Sequence, residues 1–255
     1  MAGFTLTAGH TLSLPSVLIG EGIIRRGHEV RSILMVSPWQ YRRFRDVLKQ
    51  RGLKWVTQRL GFPASNGHPV DSRLRKLSSE MAIKSSRVKS WAAAHRIQVK
   101  LVDNLNSQEA LTHLRRFSPD AVIYSGGGIL REQFISEAGI VLNAHAGPLP
   151  EIRGMNAAEW AFLLGARREI TIHRIDQGID TGARVSVRAL EEPALDVNDL
   201  RDLAVSAGVK EMIRVISEDR WRDTLSPASI AKSRQCFVLA AAIQDILNER
   251  LRVGV

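Results

Sequence analysis

Between Phe4 and Tyr124 short apolar segments alternate with helix-period segments, and this rhythm constrains the fold more than any other feature of the chain. Phe4–Ala8 reads as a first strand, and 14–26 as a helix stopped by Arg25-Arg26-Gly27. Glu29–Val36 reads as a buried strand halted by Ser37-Pro38. Residues 39–51 suit a helix closed by Gly52, 53–56 a short strand, and the Gly-, Pro-, Ser- and Asn-rich stretch 61–76 a loop. The basic stretch 73–89 suits either a helix or a mobile segment. Val88–Arg96 then reads as a helix and Ile97–Val102 as a strand. Gln108–Phe117 reads as a helix capped by Asn106 or Ser107, and Ala121–Tyr124 as another strand. Strands alternating with helices join by right-handed crossovers. The expected fold is therefore α/β, a mostly parallel sheet with helices on both faces. Ligands in such sheets sit beyond the carboxyl ends of strands, where Ser125-Gly126-Gly127-Gly128 falls.

After about Glu192 the chain turns helical and more acidic. Residues 196–216 start at a cap-like Asp196 and keep apolar periodicity, and 238–251 read as a closing helix. The expected division is a main domain over 1–192 and a helical C-terminal extension over 193–255, packed on it. The closing helix suits either capping of the core or a homodimer contact.

Composition narrows the function classes. No apolar run reaches the roughly 18 residues a membrane-spanning helix needs. The N-terminus has no basic head before an apolar stretch, as a secretory leader would. The single cysteine, Cys236, excludes an internal disulfide framework and a cysteine zinc cage, so a reducing, cytoplasmic setting is expected, with no metal. Charge is uneven. Residues 1–100 hold 18 Lys/Arg against 5 Asp/Glu, while 101–255 hold 18 against 21. Such asymmetry suits an anionic partner on the N-terminal half, and equally a solvated basic face.

Chemistry-bearing residues concentrate in 141–182. A strand over 140–142 leads into Asn143 and His145, followed by Pro148-Leu149-Pro150, Arg153-Gly154 and a helix around 156–164. A strand over 169–175 carries His173 and leads into Asp176-Gln177-Gly178-Ile179-Asp180-Thr181-Gly182. An amide and an imidazolium N–H can be aimed at the oxyanion formed when an acyl or formyl carbonyl is attacked. A carboxylate beside the imidazole can orient it and help move a proton. No serine or cysteine stands there as a nucleophile, so direct transfer is favoured over a covalent acyl-enzyme. Singly, each of these residues has a bland reading: a satisfied core histidine, a surface ion pair or a turn former.

Together, Asn143-x-His145, Pro148-Leu149-Pro150-x-x-Arg153-Gly154, Thr171-x-His173 and Asp176-x-Gly178-x-Asp180-x-Gly182 resemble the 10-formyltetrahydrofolate-dependent formyltransferase superfamily. That superfamily includes the glycinamide ribonucleotide, methionyl-tRNA and nucleotide-sugar formyltransferases and the formyltetrahydrofolate hydrolases. The resemblance is dense over about 120–185 and looser over 1–190, and it implies a Rossmann-like domain. It implies that Asn143 and His145 polarise the formyl group and stabilise the oxyanion, and that Asp180 orients His145 and assists proton transfer. His173 and Arg153 take supporting roles. It further implies that Gly128, Ile129 and Leu130 form one wall of the folate pocket and Ile175, Asp176, Gln177, Gly178 and Ile179 the other.

The chain departs from the family in places. Many members continue His-Pro-Ser-Leu-Leu-Pro where this one has His145-Ala146-Gly147-Pro148-Leu149-Pro150, and Gly9–Leu14 matches the family's acceptor-phosphate loop poorly. The tail lacks the short strands of a β-barrel, which counts against an initiator-tRNA enzyme. The expected function is formyl transfer from 10-formyltetrahydrofolate to an amine or hydroxylamine of a small phosphorylated, nucleotide-linked or carrier-bound acceptor. The alternatives are a hydrolase using the same trio and a catalytically silent basic domain that binds nucleic acid. The scarcity of aromatic residues, 5%, speaks against the last.

Overall fold

The computed structural model describes residues 1–37, 72–225 and 233–253. The expected helix over 39–51, the strand over 53–56 and most of the loop over 61–76 lie outside the described residues. Among the described residues no helix is long and apolar enough to cross a membrane.

The sheet is built from β1 (Gly3–Ala8), β2 (Glu29–Val36), β3 (Gln98–Val102), β4 (Ala121–Tyr124), β5 (Val141–His145), β7 (Glu169–Arg174) and β8 (Arg184–Ala189). Their order is β3-β2-β1-β4-β5-β7-β8. β1 to β5 run parallel, whereas β7 runs antiparallel to both β5 and β8. Two short strands, β6 (Ile152–Gly154) and β9 (Arg234–Cys236), pair with each other outside this sheet. The helices are α1 (Leu14–Arg25), α2 (Ser72–Glu80), α3 (Val88–Ala94), α4 (Gln108–Phe117), α5 (Glu132–Ala138), α6 (Ala157–Leu163), α7 (Val197–Ser217) and α8 (Ala241–Val253).

Period-2 alternation sends each strand's side chains into two cores. Ile33 and Met35 of β2, Ile123 of β4 and Leu142 of β5 join the cluster under α1 and α7. Leu34, Val36, Val122 and Val141 from the same strands join the cluster under α4 and α5. Helices therefore cover both faces, and the expected α/β, Rossmann-like, mostly parallel sheet is what the chain forms. The long α7 packs into the same cluster as Phe4 of β1, through Leu200, Leu203, Met212 and Val215. Capping chemistry sets several helix ends. The Ser107 hydroxyl accepts the Ala110 N–H at 3.3 Å and the Asp196 carboxylate accepts that of Asp199 at 2.8 Å, fixing the starts of α4 and α7.

Some elements differ from expectation. β5 runs to His145 rather than stopping at Leu142, because pairing with β7 satisfies the backbone of Asn143 and His145. The loop expected through Lys76 gives way to α2 at Ser72. The Ser72 hydroxyl and the Arg73 N–H both bond the Asp202 carboxylate on α7, at 2.9 and 2.8 Å, and so anchor the helix start. β6, β8, β9 and α5 go beyond the sequence reading. The order reverses direction between β1 and β4, and there the loop after β1 meets the glycine turn after β4. Thr7 joins the two, its Oγ1 donating to the Gly126 carbonyl at 2.9 Å and accepting the Ser125 N–H at 3.0 Å. Gly127 sits at φ +133°, and a Cβ on it would lie 2.5 Å from the Leu105 side chain, so only glycine closes the turn without strain.

Candidate active site

Neighbouring strands and their loops deliver the polar side chains. β5 ends in Asn143-Ala144-His145, and β7 pairs Asn143 with His173 and His145 with Thr171. Asn143 also pairs with Tyr124 of β4, so the site lies one strand from the switch in strand order. Asp180 comes from the loop after β7 in a left-handed conformation, φ +52°.

His145 is buried, and each of its ring nitrogens faces an oxygen. Nε2 donates to the Ile152 carbonyl at 2.8 Å, which leaves the lone pair of the neutral ring on Nδ1, 3.4 Å from Asp180 Oδ2. The same Oδ2 accepts the Gly154 N–H at 2.8 Å. His173 is buried with its ring perpendicular to that of His145, centroids 6.1 Å apart. Its Nδ1 donates to the Arg174 carbonyl at 3.0 Å, so Nε2 is free to accept the Asn143 amide N–H at 3.1 Å. The Asn143 amide keeps its second hydrogen for a ligand. His173 Nε2 also lies 3.6 Å from Asp180 Oδ1.

Electrostatics fix the protonation states. Burial pushes the His145 imidazole below its ordinary range, and the Asp180 charge and the Ile152 carbonyl recover only part of that. Burial, then the neighbouring His145, pushes His173 down to about 4, against the pull of Asp180. Both rings are therefore neutral at pH 7. A proton taken by His145 lands on Nδ1, facing the carboxylate. The centre can hold an oxyanion on the Asn143 amide and store a proton between His145 and Asp180.

The remaining expected residues are placed as follows. Arg153, on β6, donates through Nη1 to the Ile179 carbonyl at 3.1 Å and through Nε to the Ser233 hydroxyl at 2.6 Å. It thus touches the loop that carries Asp180. Asp176 is exposed and organises that loop, accepting from the Thr181 hydroxyl at 2.6 Å and the Gly178 N–H at 3.1 Å. Gln177 and Gly178 are exposed beside it. Leu130 and Ile175 belong to one apolar cluster with Tyr124 and Val141, and the Ile175 N–H donates to the Val141 carbonyl at 2.8 Å, so the loop after β7 leaves beside the start of β5. Gly128 is exposed, its carbonyl accepting the Tyr124 hydroxyl at 2.8 Å. Ile129 and Ile179 stand exposed on the two loops. Thr171 steadies the loop after His145, its hydroxyl donating to the Gly147 carbonyl at 2.8 Å and accepting the Leu149 N–H at 3.3 Å. Among the described residues no group of His, Cys, Asp and Glu is arranged to hold a metal ion.

Sequence reasoning missed the Ile152 carbonyl, the Gly154 N–H and Ser233. The first two are main-chain groups that any residue would carry, and Ser233 is brought in from far along the chain.

The chain is similar to known proteins in sequence and in fold. A methionyl-tRNA formyltransferase of Legionella pneumophila is 30% identical over 138 residues, covering 52% of this chain and 44% of that protein. The chain thus spans less than half the length of that curated relative. Two solved structures share the fold. A sugar N-formyltransferase from a Shewanella species has TM-score 0.58 and 10% identity, over 98% of this chain and 88% of its own. An N-formyltransferase from Helicobacter canadensis, in complex with folinic acid and dTDP-3-aminofucose, has TM-score 0.54 and 15% identity, over 92% of this chain and 71% of its own. The sequence profile of the formyl transferase family matches residues 72–216, more than half of the chain, which therefore belongs to that family.

Proposed function

We propose that the chain transfers a formyl group from 10-formyltetrahydrofolate to an amine or hydroxylamine of a small anionic acceptor. The observation that carries this reading is the convergence of Asn143, His145, His173 and Asp180 at the end of β5. Neutral His173 holds the Asn143 amide so that its second N–H stabilises the oxyanion on the formyl carbon. His145, neutral and facing Asp180, accepts the proton that the attacking nitrogen loses. Protonated on Nδ1, it adds a positive charge beside the oxyanion and is paired by Asp180. The new C–N bond forms on the acceptor, the bond to N10 of the donor breaks, and the stored proton passes to N10. Atoms and charge then balance without a covalent enzyme intermediate.

A folate donor suits the two loops flanking β5. Ile129 and Ile179, 81% and 45% exposed, offer apolar faces to a flat ring, and Gly128, Asp176, Gln177 and Gly178 offer main-chain groups beside them. The complex of the Helicobacter canadensis protein with folinic acid supports the donor by analogy. The anionic acceptor rests on charge. Residues 72–102 carry eight Lys/Arg against Glu80 as the single carboxylate. Arg87 and Lys89 are exposed at the start of α3, which is tied to the loop after β1 by the Val88 N–H on the Thr11 carbonyl at 3.0 Å. Phosphorylated, nucleotide-linked and carrier-bound amines all fit such a surface. Within this reading residues 1–192 form the catalytic unit and 193–255 the extension packed on it, in a reducing cytoplasm suited to a single cysteine.

The test follows tetrahydrofolate release from 10-formyltetrahydrofolate with and without a pool of amines and nucleotide-linked amino sugars. Asn143→Ala, His145→Ala and Asp180→Ala variants run alongside. Release that requires both the pool and the intact trio is the expected result. Release without any amine would make the protein a hydrolase, and no release in any condition would overturn the reading.

A further inference from the structure

The C-terminal strand β9 lies outside the part of the chain that matches the family profile, yet it is bonded to the groups that hold the catalytic pair. His145 Nε2 is fixed by the Ile152 carbonyl and Asp180 Oδ2 by the Gly154 N–H, and both belong to β6. β6 in turn is held by β9, in the register Ile152 to Arg234, Arg153 to Gln235 and Gly154 to Cys236. The Arg234 N–H donates to the Glu151 carbonyl at 2.8 Å and the Met155 N–H to the Cys236 carbonyl at 3.0 Å, closing both ends of the pairing. Contact is tight. Gly154 sits at φ +91°, and a Cβ on it would lie 2.2 Å from the Cys236 carbonyl oxygen. Arg153 completes the frame, one guanidinium fork joining Ser233, the residue before β9, to the Ile179 carbonyl, the residue before Asp180.

We infer that this frame, β9 with the Arg153 fork, sets the separation and angle of His145 and Asp180, with Arg153 a positioning residue that touches no reacting atom. The physical reason is that β6 is too short to hold its own geometry. Three residues cannot fix two catalytic contacts against thermal motion unless a second strand and a bridging side chain restrain them. Asp180 has no regular structure of its own, and its φ of +52° persists only while its neighbours impose it. The C-terminal segment is thereby a working part of the active site. This inference rests on the reading of the site as a formyl-transfer centre, and the experiment separates the two.

Arg153→Lys keeps the charge but loses the planar fork, and Ser233→Ala removes one end of the bridge without touching charge. Arg153→Ala runs beside them. Two readouts are taken on the full chain: kcat and KM in the folate assay, and titration of the His145 imidazole by proton–carbon NMR. The frame predicts that Arg153→Lys resembles Arg153→Ala, with kcat about tenfold lower or more and donor and acceptor KM within about twofold of the parent. It predicts the same direction, with a smaller change, for Ser233→Ala. His145 titrates lower in all three, because Asp180 no longer holds its place beside Nδ1. Arg153→Lys behaving like the parent would overturn the inference in favour of a charge effect. A rise in KM with kcat unchanged would overturn it in favour of ligand binding by Arg153. Should the parent show no formyl transfer, the functional reading falls. The His145 titration would still support the frame if it moved in Arg153→Lys and Ser233→Ala, and would overturn it if it did not.

Discussion

Asp180→Asn tests the electrostatics of the site most directly. The asparagine keeps an oxygen acceptor for the Gly154 N–H, now 2.8 Å from Asp180 Oδ2, so the loop retains its anchor and only the charge is lost. Two unit charges at the 3.4 Å separating His145 Nδ1 from Asp180 Oδ2 attract by about 5 kcal/mol at an effective dielectric of about 20. The Asp180 side chain is 18% exposed, and solvent screening reduces this to about 3 kcal/mol. Losing this attraction lowers the pKa of the imidazolium. Burial already holds His145 below its ordinary range, and removing the carboxylate takes it lower still. Carbon-13 labelling of the histidines gives the titration, with His145→Gln to assign the resonance. A His145 pKa unchanged to within about 0.3 unit, or one that rises, would refute a proton held between the two side chains. In the folate assay the same variant should lose roughly a hundredfold in kcat, as the base weakens and its cation goes unpaired.

Two further outcomes follow from burial and backbone geometry. His173 titrates near 4 in the folded chain against 6.5 for a free imidazole, so the unfolded chain binds the proton first. Stability therefore falls as pH drops through the window from 6.5 towards 4 and levels off below it, by at most about 3 kcal/mol. His173→Asn should flatten that slope in urea unfolding at pH 7 and 4.5, and an equal slope in both proteins would sink the assignment. Gly127→Ala places a methyl 2.5 Å from Leu105 at φ +133°, whereas Gly27→Ala at φ +78° meets nothing within 4 Å. The first should cost about 3 kcal/mol or more and the second about 1, read from urea midpoints, and equal losses would show that sterics at the turn are not what selects glycine there.

Much of the site was legible because its residues cluster. Asn143, His145, His173 and Asp180 fall within 38 positions on two segments that the family motif ties together. What they do to one another was not legible. Residue identity offers His145 an imidazolium N–H for the oxyanion, and the fold decides how each nitrogen is placed: Nε2 against the Ile152 carbonyl and Nδ1 towards Asp180. That outcome depends on a main-chain carbonyl, which leaves no trace in residue identity. Similarly, β9 has only three residues, Arg-Gln-Cys, two of them exposed and without periodicity. It is a strand because the edge of β6 offers it partners.

Where local chemistry is sufficient, sequence and structure agree to the residue. Glu29–Val36 is apolar enough to be buried on both faces, and Gln108–Phe117 is bounded by the Ser107 cap and a left-handed Ser118. Period, capping residues and turn glycines act over a few positions, so the sequence by itself determined the alternating strands and helices and the parallel sheet they build. The antiparallel turn of β7, the extension of β5 through its two polar catalytic positions and the contact of residue 233 with residue 153 depend on pairing across long stretches of chain. Only the tertiary structure decides these, because the free energy that fixes them comes from hydrogen bonds and burial between segments, and no local window contains both partners.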